Sequence, residues 1–79
     1  MKIEILGMGC PKCQELYENA QKAAKEAGME AVVMKVEDAD KITEYGVFVT
    51  PALVMNGQVK ASGEVVPSEQ IKQWMQSPG

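Results

Sequence analysis

Histidine and arginine are both absent from this chain of 79 residues. Without histidine there is no imidazole ligand for zinc, no histidine-based triad and no side chain that titrates near neutrality in its ordinary state. Without arginine there is no bidentate clamp for phosphate or carboxylate. Eight scattered lysines face eleven acidic residues, for a net charge of −3. No basic stripe forms, so nucleic acid is not an expected partner. Long apolar runs are missing too: none approaches the ~20 residues of a membrane span. The first seven residues, Met1 to Gly7, are too few and too charged for a secretory leader. These absences lead to the expectation of a cytoplasmic protein with no membrane partner.

Cysteine is scarce, with only Cys10 and Cys13 present. In a reducing compartment a structural disulfide is not expected. So short a loop would also constrain the unfolded chain weakly. The pair therefore needs another explanation. What remains is an ordinary globular balance, 46% apolar and 24% charged, on a chain long enough for one domain. Residues 1–76 are expected to form it as a monomer, with Ser77, Pro78 and Gly79 as a tail.

Ile3, Ile5 and Leu6, ending at Gly7, read as a short buried strand. From Pro11 to Ala27 the apolar residues Cys13, Leu16, Tyr17, Ala20, Ala23, Ala24 and Ala27 follow helical spacing. Pro11 suits a first helical turn and Gly28 a left-handed stop. The run Ala31, Val32, Val33, Met34 and Val36 reads as a second strand, apolar enough to be central. Asp38 or Asp40 caps a short helix through Ile42 and Tyr45, ended by Gly46. After Val47, Phe48 and Val49, the Asn56-Gly57 pair joins Ala52–Met55 to 58–61 as a hairpin, because it tolerates the positive φ angles of a type I′ turn. Ile71, Trp74 and Met75 mark a final helix beginning at Pro67-Ser68. The expected class is α/β, in the order β-α-β-α-β-β-α, with a mixed four-stranded sheet flanked by helices.

The chemistry concentrates in Cys10-Pro11-Lys12-Cys13, between a strand and a helix N-terminus. Unpaired N–H groups and the helix dipole favour an anion there, so a thiolate at Cys10 is stabilised. Lys12 adds positive charge, and Pro11 stiffens the turn. Cys13 lies one helical turn on, within reach of Cys10. Cys10 reads as the exposed attacker and Cys13 as the inward resolving thiol. A metal-binding pair and an inert pair are the alternatives to a redox dithiol. Thr50-Pro51 taken alone reads as a strand-initiating proline, with a cis peptide bond as the functional alternative. Met8 suits either shielding of the sulfurs or ligation of a soft metal. Trp74 and Met75 read as core, Tyr17 as half-buried, and the acids from Glu37 to Glu44 as caps and a solvated face.

The CPKC motif, Val49 to Val54, Asn56-Gly57, Gly63 and the last helix together resemble thioredoxins and glutaredoxins. The match is closest to the short archaeal and bacterial thioredoxin-like proteins, which lack the extra N-terminal strand and helix of full thioredoxin. The resemblance implies a thioredoxin-like fold and protein-disulfide reduction, with the Cys10–Cys13 disulfide as the redox group and no other cofactor. It implies that Cys10 is the nucleophile, Cys13 the resolving thiol and Pro51 the cis-proline. The Thr50 backbone would pair with an extended substrate segment, and Gly63 would be the small residue beside the site. Two departures stand out. Gly9 occupies the place of the tryptophan before the first cysteine of full thioredoxins. The segment Ala61-Ser62-Gly63-Glu64-Val65 lacks the Gly-Gly-Asp type of glutathione site found in glutaredoxins. A flavoprotein disulfide reductase is therefore the expected electron donor, and disulfide-containing proteins are the expected substrates.

One rival shares the local motif. Gly7-Met8-Gly9-Cys10-Pro11-Lys12-Cys13 also fits GMxCxxC, the signature of Cu(I)-binding chaperone-like domains, and two thiolates suit that ion. That fold runs β-α-β-β-α-β and ends in a strand. The helix expected after the second strand, the later hairpin and the helical end of this chain all oppose it.

Overall fold

Among the described residues, seven elements follow one another in the expected order. They are β1 (Lys2–Leu6), α1 (Pro11–Ala27), β2 (Val32–Val36), α2 (Ala39–Glu44), β3 (Ala52–Met55), β4 (Gln58–Ser62) and α3 (Ser68–Gln76). The structure, a computed structural model, describes residues 1–28 and 30–76. The expected tail at 77–79 lies outside the described residues. No helix among the described residues is long and apolar enough to cross a membrane.

Local chemistry accounts for most boundaries. Asp38 caps α2 by accepting the Asp40 N–H at 2.9 Å. Gly28 closes α1 in the left-handed conformation. Asn56 and Gly57 both have positive φ, at 51° and 84°, as a type I′ turn requires. The Asn56 carboxamide also accepts the Lys2 N–H at 2.9 Å, tying the hairpin to the first strand.

The sheet order is β2-β1-β3-β4, with β1 parallel to β2 and antiparallel to β3. Alternate residues of β1 feed two cores. Ile3 and Ile5 face α1 and α3, where Leu16, Ala20, Ala23, Ile71 and Met75 are buried. Leu6 faces the other way, with Val36, Ile42, Val47 and Val54 under the short helix α2. Tyr17 is half-buried against the first core and Met75 buried in it, as expected, while Trp74, read as core, packs half-buried at its margin.

The expectation of a central second strand is corrected. β2 is an edge strand, because β3 takes the free side of β1. Only Val36 of this strand is buried; Val32 and Met34 are exposed. The six residues of α2 cover the Val36 end of that face and no more.

Register fixes where the sheet delivers its functional end. Leu6 pairs with Val36 and with Ala52, and Ala52 pairs with Ser62. The next residues along, Glu37, Gly7, Pro51 and Gly63, therefore form one row across the sheet. Two hydrogen bonds carry the row beyond the strands: Gly7 N–H to Val36 at 3.0 Å and Gly63 N–H to Pro51 at 2.8 Å.

Candidate active site

Cys10 is the N-cap of α1, with extended backbone angles, and Pro11 is the first helical residue. The Cys13 N–H donates to Cys10 Sγ at 3.2 Å. The Gln14 N–H donates to the Cys10 carbonyl at 3.1 Å. The sulfur thus occupies the place that an aspartate or serine oxygen takes at other helix starts. In the reduced protein a donated N–H and the helix dipole at this place favour negative charge on the sulfur.

The two cysteines are joined as a disulfide, with their Cα atoms 5.1 Å apart. They differ in access. Cys10 is half-buried, less open than the sequence suggested, while Cys13 is 6% exposed. Pro11 and Lys12 are exposed at the helix start. Cys13 rests against Gly7, where an added Cβ would overlap its sulfur. Glycine is required there by close approach.

The Thr50–Pro51 peptide bond is cis. Pro51 is fully buried and Thr50 is exposed. Because Pro51 follows Gly7 in the row across the sheet, it stands on the same end as the disulfide. Gly63 has φ +79°, and a Cβ there would lie 2.8 Å from Val49 Cγ1. The Ser62 hydroxyl donates to the Val49 carbonyl at 3.0 Å. The loop before Pro51 is thus clamped to the end of β4, and Gly63 provides the space for it.

A small cavity of about 30 Å³ reaches Cys13, lined also by Gly7, Gly9, Gln14, Lys35 and Glu37. Lys35 Nζ donates to Gln14 Oε1 at 2.6 Å and lies 4.6 Å from the centre of the Tyr17 ring. The sequence reading missed Gly7 as a neighbour of the Cys13 sulfur, and Lys35 and Glu37 as lining of this cavity. Lys35 did leave a trace, as a charged residue inside the apolar run of β2. Glu37 left none, because it reads as one more acid of a solvated stretch. Met8 is exposed.

No group of three or more histidine, cysteine, aspartate or glutamate side chains among the described residues could hold a metal ion. The fold also departs from that of the GMxCxxC rival, since α2 follows β2 and the described residues end in α3.

Comparisons with known proteins place these features in context. Residues 1–76 match the thioredoxin domain family. A thioredoxin of Methanothermobacter thermautotrophicus is 43% identical over 72 residues, covering 91% of this chain and 94% of that protein. A thioredoxin of Methanocaldococcus jannaschii is 41% identical over 75 residues, covering 95% of this chain and 86% of that protein.

Proposed function

Because this chain belongs to the thioredoxin domain family, we propose a division of labour between its sulfurs in which Cys10 attacks and Cys13 resolves. The chain is a thiol–disulfide oxidoreductase with a redox-active cysteine pair. In the reduced protein, the Cys10 thiolate attacks one sulfur of a substrate disulfide. A mixed disulfide forms and the other substrate sulfur leaves as a thiolate, which takes up a proton. Cys13 loses its proton and attacks Cys10 Sγ. The second substrate sulfur departs, and the Cys10–Cys13 disulfide closes. Two electrons have passed to the substrate, and a reductase partner returns two to the pair.

The observation that carries this assignment is the N–H of Cys13 donated to Cys10 Sγ at the start of α1. It favours Cys10 as the anionic sulfur, while the burial of Cys13 keeps the second sulfur for an intramolecular attack. In the same reading Lys12 supports the anion by its charge and Pro11 holds the turn. The backbone at Thr50 and Pro51 receives an extended substrate segment by strand addition, with Gly63 as the small residue beside it. Residues 1–76 act as one domain. The donor is a flavoprotein disulfide reductase, because the segment after the hairpin lacks a glutathione-type motif. The protein works as a cytoplasmic monomer and needs no cofactor beyond its disulfide.

Trapping tests the assignment. Cys13→Ser leaves a mixed disulfide that no second thiol resolves, so partner proteins accumulate on Cys10 as adducts cleaved by dithiothreitol. Cys10→Ser removes the attacker and traps nothing. Equal trapping by both variants overturns the division of roles.

A further inference from the structure

Gly9 directly precedes Cys10 and has φ +83°. It offers no side chain to cover the approach to the first sulfur. A Cβ built on Gly9 would have Glu37 Oε2 as its nearest neighbour outside the adjoining residues, at 3.7 Å. Glu37 also lines the small cavity that reaches Cys13. Both observations put a carboxylate on the β2 side of the disulfide, beside the residue before the reacting cysteine.

That carboxylate keeps its charge. Among the described residues the one side-chain ion pair joins Lys2 to Glu4, so no lysine is paired with Glu37. Lys35, on the same cavity wall, holds the Gln14 carboxamide and lies over the Tyr17 ring. The next charges along the chain, Asp38 and Asp40, are exposed and have the same sign as Glu37. Lys12 is the opposing charge. It is exposed between the two cysteines, where the anionic sulfur of the exchange offsets it. Glu37 is exposed as well. Salt screens such a charge within about 8 Å, so it acts on residues that come close to the target sulfur and on little else.

We propose that Glu37 is a specificity-determining residue of the dithiol, favouring target cysteines flanked by lysine or arginine over those flanked by aspartate or glutamate. The substrates are thus disulfides set in basic stretches of their proteins. Glu37 takes no part in the exchange of sulfurs; it attracts one class of flanking side chain and repels the other. The inference rests on the dithiol reading above and names a substrate class for it.

Two extended peptides test it, each with one cysteine activated as a mixed disulfide with thionitrobenzoate. One has lysine on both sides of the cysteine and the other glutamate. Each rate of thionitrobenzoate release by the reduced protein is divided by the rate of the same peptide with 2-mercaptoethanol, which removes the peptides' own difference in reactivity. The readout is the lysine-to-glutamate ratio of these corrected rates, from which any general loss of active protein cancels. The wild-type ratio is above one and falls toward one in about 1 M salt. Glu37→Gln lowers it about five-fold, because an attraction and a repulsion of the size of exposed ion pairs are lost together. Glu37→Asp keeps most of it. Glu26→Gln makes the same change in net charge at the far end of α1 and leaves the ratio as in the wild type. A wild-type ratio of one or less, a ratio that survives Glu37→Gln, or an equal fall in Glu26→Gln overturns the proposal. Failure of the reduced wild-type protein to react with dithiodipyridine, which is neutral and has no peptide flanks, overturns the dithiol reading itself.

Discussion

At Gly7 a hydrogen atom is all that the fold allows between the backbone and the Cys13 sulfur. Gly7→Ala therefore forces either the end of β1 or the start of α1 to move. Overpacking of this kind costs about 1–3 kcal/mol. The predicted result is a lower melting temperature by calorimetry in both redox states, together with slower closure of the mixed disulfide in stopped-flow exchange. An alanine chain that melts and exchanges as the wild type does would show that Cys13 does not lean on this glycine. The two cysteines were legible from their spacing and from the proline between them, since both are local signals. Gly7 was not, because its approach to the Cys13 sulfur depends on how the start of α1 packs against the end of β1.

Between elements, a side-chain hydrogen bond on the α2 face joins Tyr45 to β1. Its hydroxyl donates to Glu4 Oε1 at 2.7 Å, and Glu4 is a buried charged residue. That hydrogen bond, followed by burial and the negative charge of Glu4, raises the Tyr45 titration above its ordinary value of 10.0. Up to about pH 10 the hydroxyl is protonated in both folded and unfolded chains, and the contribution is fully present. As pH climbs toward the raised folded value, the unfolded chain loses its proton first and the contribution disappears. Tyr45→Phe is predicted to lower the urea midpoint at neutral pH, with the difference from wild type shrinking at alkaline pH. A difference that is constant with pH would contradict the role of this hydroxyl. At the same scale, the hairpin, the α2 cap and the end of α1 were readable because Asn-Gly, Asp and Gly act on their immediate neighbours. The position of β2 was not. Its valines fit a buried strand, but whether a strand is central depends on which side of β1 the later β3 chooses.

For the molecule as a whole, one row of residues gathers distant parts of the chain. Glu37, Gly7, Pro51 and Gly63 come from four separate stretches of chain and meet at one end of the sheet. The helix that carries both cysteines starts at that same end. The element order was legible because each crossover and hairpin has a sequence signature, and that order separated a thioredoxin-like fold from the metal-binding fold sharing its motif. The exposure of Phe48 and Val49 was not legible, because apolar residues just before a strand look like core until their exposure is known. The chemistry of this arrangement depends on a negative charge held at the first turn of α1. The rate of iodoacetamide alkylation at Cys10, followed against pH in reduced Cys13→Ser protein, measures that charge directly. The predicted midpoint lies below the free-cysteine value of about 8.5; a midpoint at or above it would contradict the account.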